Sequence, residues 1–242
     1  MSYSKVIDGV EVPDHVLAEG DDSVQEFVQL VQSVKQSKAD YEQKSAVLKE
    51  ALPNTKMNSS ILSIDDEVFT GVAETAKKMT DKYPMIKDAL REFVVDETTE
   101  QGGAYAAYDR GYQKLILYKS HFGDKNTLES AYKRDLEHKY HPAGTDHNAI
   151  IAHELAHALD FYMSTKKNRD MSGEIMKTVA MQYQRSGKQW NGQTIMDELS
   201  AYATKDSREF FAEAISEYVM SPNPRPMAKI VGQQVDRMVQ YL

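Results

Sequence analysis

The stretch Ile150-Ile151-Ala152-His153-Glu154-Leu155-Ala156-His157-Ala158-Leu159-Asp160 sets two imidazoles and two carboxylates in an otherwise apolar run. On a helix His153 and His157 are i and i+4, so both rings lie on one face, one turn apart, and can aim nitrogens at a single ion. Glu154 falls about 100° further round the helix, beside such an ion rather than on it. Two neutral nitrogen ligands with a carboxylate next to a water are what metal-assisted hydrolysis requires. Ile150, Ile151, Leu155 and Leu159 cover the other faces, as expected of a helix held in a core. Two His and a Glu inside such a helix are costly unless something pairs with them, and a divalent cation would do so.

Two histidines leave such an ion short of a third protein ligand. The chain has no cysteine, so the remaining donor is His, Asp or Glu. A third histidine six residues beyond His157 is excluded, because position 163 is Met163. The best downstream segment is Ser207-Arg208-Glu209-Phe210-Phe211-Ala212-Glu213-Ala214-Ile215-Ser216-Glu217. Glu209 and Glu213 again stand at i and i+4, among apolar neighbours. One of them can bind the ion while the other orients a ligating histidine. His121, His138, His141 and His147 are expected as surface or capping residues rather than ligands, with the alternative that His141 and His147, which flank the start of the helix carrying His153, line the cleft.

Periodicity describes the elements that must position these groups. Residues 1–20 read as a short extended lead-in, followed by one long amphipathic helix from Asp21-Asp22-Ser23 to Leu52, with Lys38 and Ser45 interrupting its apolar seam. Pro53 ends it and 53–60 reads as a linker. Ser63 is expected to cap a helix over 64–82, and Pro84 to open a short one through Leu90. Glu92–Asp96, Ala104–Tyr108 and Gln113–Tyr118 are short and rich in β-branched or aromatic residues. They predict a sheet of about three strands, the last two forming a hairpin. Helices follow over 126–140, from Thr145-Asp146 to about Ser164, over 172–185 and over 208–220, with a final amphipathic helix; 187–194 reads as loop. The expected class is a mostly helical α+β protein with a small β-sheet. Its expected division is 1–55, an N-terminal extension carrying the long helix, and 56–242, the domain with the site.

His-Glu-Leu-Ala-His-Ala-Leu-Asp at 153–160, Glu-Phe-Phe-Ala-Glu-Ala at 209–214, and Tyr202 seven residues before Glu209 together resemble the zinc metallopeptidases of the anthrax lethal factor-like group, which includes the bacterial Pro-Pro endopeptidases. The resemblance covers roughly residues 90–240. It implies a zincin-like metallopeptidase fold with a small twisted sheet and a C-terminal helical subdomain, and one Zn²⁺ held by His153, His157 and Glu209. It further implies Glu154 as general base and Tyr202 as oxyanion donor, with Glu213 supporting the site from behind the ligands. Asp160, which closes the first motif, is expected in that supporting role too. One departure is Ala156, where the family often has Gly; both are small. A peptide substrate is expected to lie extended along a sheet edge. Ala104, Tyr105 and Ala106 are the candidate edge, with Gly102 and Gly103 just before it permitting close backbone approach.

The chain has 242 residues with 29 Lys plus Arg against 37 Asp plus Glu, a formal charge of −8. That balance argues against nucleic acid or an anionic membrane as partner, since phosphate recognition needs clustered cations. The first residues lack a basic stretch followed by an apolar one, so no secretory signal is expected, and no transmembrane segment; the expectation is cytoplasmic synthesis. The leading function is a zinc endopeptidase acting on peptide or protein. An alternative is a virion-associated or delivered structural protein carrying a metallopeptidase-like domain of little or no activity. In support, 141–155 is similar to metallopeptidase-like segments of phage head proteins, and residues 22–52 offer a helix for a partner or for assembly. A third reading is a toxin acting inside a host cell.

Overall fold

The structure is a computed structural model that describes residues 4–98 and 103–242. The chain divides into two compact units, one ending at Ala46 and one spanning Val47–Leu242. In the first, β1 (Ser4–Ile7) and β2 (Val10–Pro13) form an antiparallel hairpin rather than a plain extended lead-in. The turn is Asp8-Gly9, both at positive φ (48° and 76°), the two-residue geometry that matches strand twist. Val10 and Val12 face inward. With Val16 of α1 (Asp14–Leu17) and Val24 and Val28 of α2 (Asp21–Ala51), they make a small core. Residues 32–39 of α2 are exposed on every face.

The second unit takes in the last turns of α2, where Leu48 and Ala51 are buried. The stretch expected as linker holds a two-residue strand, β3 (Lys56–Met57), and a 3₁₀ turn at Ser59–Ser63. Helix α3 (Asp66–Lys82) is capped by Asp65, whose carboxylate accepts from the N–H groups of Glu67 and Val68. Ser63 instead donates to Glu97 at 2.6 Å, so the expected cap is displaced by two residues. After α4 (Ile86–Ala89) come β4 (Glu92–Asp96), β5 (Ala106–Asp109) and β6 (Lys114–Tyr118). Strand order is β3-β4-β6-β5. The first three are parallel, and β5 lies antiparallel on β6 at the sheet's edge. The hairpin β5–β6 starts two residues later than expected, leaving Ala104 and Tyr105 just ahead of the strand; Gly102 lies outside the described residues.

Short α5 (Lys119–Phe122) leads to α6 (Lys125–Glu137), capped by Asp124. Next come α7 (Ala149–Lys167) and α8 (Met171–Arg185), the latter capped by Asp170. The region expected as loop closes into α9 (Gly192–Glu198), because Asn191 accepts from the Thr194 N–H at 2.9 Å. A 3₁₀ turn at Tyr202–Thr204 precedes α10 (Ser207–Met220), and α11 (Pro226–Val239) ends the fold. The result is mostly helical with a small mixed sheet.

Helix α7 is the axis of this unit. Ile151, Ala152, Leu155, Ala156 and Leu159 are fully buried, so almost no face of it meets solvent. It packs most extensively against α10, whose Phe210 and Phe211 are also fully buried. Ser216 of α10 donates to the Ala149 carbonyl at 2.9 Å and ties the first turn of α7 to α10. This α7–α10 packing brings residues some 55 positions apart to one place. No helix among the described residues is long and apolar enough to cross a membrane.

Candidate metal centre

His153 and His157 project from the same face of α7, as their spacing requires. Glu209 reaches them from the first turn of α10. That helix starts at Asp206, whose side chain accepts from the N–H groups of Arg208 and Glu209 and so fixes where the Glu209 side chain leaves the backbone. The Nε2 atoms of His153 and His157 are 3.1 Å apart, and both lie 3.1–3.2 Å from Oε2 of Glu209. The three residues form a possible metal-binding group. The fit is testable on those distances. Tetrahedral bonds of about 2.0–2.1 Å would set ligand atoms roughly 3.3–3.4 Å apart, close to the observed triangle.

The proton arrangement agrees. Nδ1 of His153 lies 2.7 Å from Oε1 of Glu213, which is 1% exposed. Nδ1–H therefore donates to that carboxylate, which makes Nε2, facing Glu209 and His157, the nitrogen that would bind an ion once its proton is displaced. The other oxygen of Glu213 accepts from Ser200 Oγ at 2.7 Å, so the carboxylate is itself held. Without an ion these crowded donors share protons. Burial alone would lower the pKa of His153, but the Glu209 and Glu213 carboxylates outweigh it and raise it to about 10. Burial pushes Glu209 and Glu213 up, yet the histidines win at both. Glu209 is held far below the usual carboxylate range, and Glu213, beside His141 and His153, falls to about 2.

Glu154 faces the same cleft and lines the cavities on both sides of the triangle. Among the described residues no hydrogen-bond donor reaches its carboxylate. Tyr202 sits with its ring 5.7 Å from that of His153, and its hydroxyl is 3.4 Å from Lys205 Nζ. Burial first, then the nearby Glu209, pushes its phenol pKa up. Ala104, Tyr105 and Ala106 line the larger cavity together with His153, Glu154 and Tyr202.

Asp160 is placed differently from expectation. It accepts from Arg110, from the Ser172 N–H at 3.0 Å and from Ser164 Oγ at 3.3 Å, and it bonds to neither ligating histidine. It points three residues beyond His157 toward the start of α8, where a buried carboxylate caps backbone and pairs with a guanidinium. His141 takes the alternative, cleft-lining place rather than the surface one. Its side chain is 11% exposed, it stacks on Tyr132 at 4.7 Å, and its Nδ1 lies 3.8 Å from Oε1 of Glu213. His138 does cap, with Nδ1 2.7 Å from the Arg134 carbonyl. Ser200 carries no sequence signal for its role, since a lone serine ahead of a tyrosine is indistinguishable from any turn residue.

No protein-family model matches the chain, and no curated protein matches it. The functional reading therefore stands on the residues and their geometry.

Proposed function

We propose that the chain is a zinc-dependent endopeptidase of zincin-like fold, with one Zn²⁺ held by His153, His157 and Glu209. The observation that carries this reading is the 3.1–3.2 Å triangle of donor atoms with Glu154 free in the same cleft. Two imidazoles and a carboxylate without sulfur suit zinc in a catalytic rather than a structural site. When bound, the ion supplies Lewis acidity to a peptide carbonyl and to water.

The chain's own residues do the rest. Glu154 takes the proton of the attacking water and returns it to the leaving amine. Tyr202, protonated at neutral pH as an ordinary phenol is, donates to the developing oxyanion; such a donor typically supplies about 10²–10³ in rate. Glu213 keeps His153 in the tautomer that leaves Nε2 free. The substrate lies along β5. Tyr105 pairs with Tyr118 through the Tyr118 N–H at 3.0 Å, so by alternation the N–H and C=O of Ala106 turn to the open edge, available to an extended peptide.

Metal analysis of the purified protein and digestion of a degenerate peptide library, with and without chelator, test this. The expected result is about one zinc per chain and chelator-sensitive cleavage. A chain that holds the metal yet leaves every peptide intact is instead the structural or delivered protein with an inactive centre.

A further inference from the structure

Beside the triangle lies a cavity of about 380 Å³, within the size range of small-ligand pockets (about 300–1,000 Å³). Its walls are aromatic. Tyr105, Tyr132, Tyr140, His141 and Tyr202 line it together with His153 and Glu154. His141 lies flat against Tyr132, with an interplanar angle of 9°, while Tyr105 and Tyr140 meet it edge-on at 5.8 and 5.4 Å. These contacts brace one another and fix the shape of the cage.

The cavity is also acidic. Asp135, Glu154 and Glu213 line it, against Lys205, which is 59% exposed, 3.9 Å from Glu209 and over the Tyr202 ring, and His153, whose charge is matched by Glu213. Glu154 and Glu213 are taken up by the roles above, but Asp135 is not. Its Oδ2 accepts from the Tyr105 hydroxyl at 2.6 Å, and no hydrogen bond reaches Oδ1 among the described residues. Nε2 of His141 has no hydrogen-bond partner among the described residues and stands 4.0 Å from Oδ2 of Asp135. An uncharged apolar occupant would strip water from this carboxylate and give nothing back. A cationic side chain would lay its methylenes on the rings, set its head by the carboxylate, and gain from the ring faces.

We infer that this cavity is a specificity pocket for a lysine or arginine side chain flanking the scissile bond, selected by the tyrosine cage and Asp135. The inference rests on the endopeptidase reading, and the two can fail separately.

The test uses calorimetric binding of three otherwise identical peptides, bearing Lys, norleucine or Glu at the pocket position, to full-length E154Q protein. Cleavage of a library randomised on both sides of the cut by the wild type runs alongside. The Lys peptide is expected to bind about tenfold more tightly than the norleucine peptide, with Glu weakest. Asp135→Asn, which still accepts from Tyr105, removes most of that advantage while metal content stays the same. Tyr140→Leu, at a partly exposed ring, lowers it severalfold and serves if the Asp135 variant does not fold. Norleucine binding as well as Lys, a Lys advantage that survives Asp135→Asn, or no peptide binding at all would overturn the pocket. Cleavage with no basic preference sinks the pocket and leaves the endopeptidase. A Lys advantage dependent on Asp135, with no peptide cut, does the reverse.

Discussion

His153 Nδ1 meets Glu213 Oε1 at 2.7 Å, across 60 residues of sequence and between the two helices that pack most closely. The bond sets which nitrogen of His153 is free, so metal affinity should depend on a residue that never touches the metal. Glu213→Gln is expected to keep the fold and lower zinc affinity about 10–100-fold, the usual scale for a partner that orients a ligating histidine. Competition against a chromogenic chelator measures it. Unchanged affinity would show that the His153 tautomer is set elsewhere. Glu213→Ala should also destabilise, by about 1–3 kcal/mol for each group left unpaired, since Ser200 loses its acceptor too.

Glu154 and Tyr202 should separate chemistry from metal binding. Glu154→Gln is expected to retain full zinc while kcat falls by at least about 10²-fold, the lower end for a lost general base. Tyr202→Phe should lower kcat about 10²–10³-fold with zinc and Tm unchanged. Steady-state kinetics with metal analysis on the same samples decides. A Glu154→Gln enzyme as fast as wild type would remove the assigned mechanism.

These residues were readable because their geometry is local. The i and i+4 spacing of His153 and His157 on α7, and of Glu209 and Glu213 on α10, puts each pair on one helix face whatever the tertiary fold. Asp206 is likewise a local capping signal. What stayed hidden depends on long-range packing. Ser200 and His141 matter only because the segment after α9 and the loop after α6 carry them to Glu213 on α10. Asp160 shares a motif with the ligands, yet its partner Arg110 lies 50 residues earlier on the β5–β6 turn. Local signals were also missed. Asp8-Gly9 announces the first hairpin, Asn191-Gly192 caps α9, and Asp65 outcompetes Ser63 because its carboxylate reaches two free N–H groups at once.

The metal-free protein should show a stability optimum on the acidic side of neutral. Glu213 has a folded pKa of about 2 against 4.5. Its depressed value contributes stability that is complete above about 4.5 and is lost as pH falls toward 2. His153 is raised from 6.5 to about 10, so its contribution is complete below about 6.5 and is lost as pH climbs through 10. Both are in place between about 4.5 and 6.5. Thermal melts across pH in excess chelator should peak there, and Glu213→Gln should flatten the acid limb. A plateau running level to pH 9 would contradict the His153 assignment. Because zinc must displace the His153 proton, zinc affinity should rise with pH across the same alkaline range.

Arg225 tests how the site is held from behind. Its Nε lies 2.9 Å from Oε1 of Glu217 and its Nη2 2.7 Å from Oε2, a two-pronged pair with a carboxylate that is fully buried. The same guanidinium donates to the carbonyls of Asp197 and Leu199 at the end of α9, just ahead of Ser200 and Tyr202. One side chain thus ties the far end of α10 to the segment that delivers Ser200 to Glu213. Removing it leaves a buried carboxylate with only the Arg225 backbone N–H as donor and no countercharge, and breaking such a pair typically costs up to about 3–5 kcal/mol. Arg225→Ala is therefore expected to destabilise on that scale in urea unfolding. Arg225→Lys should recover only part, because an ammonium cannot span both oxygens and both carbonyls at once. Glu217→Gln in the Arg225→Ala background should restore some stability, since the buried charge without a countercharge is then gone. If the double variant is no more stable than Arg225→Ala alone, the cost lies in the lost carbonyl contacts rather than in the unpaired carboxylate.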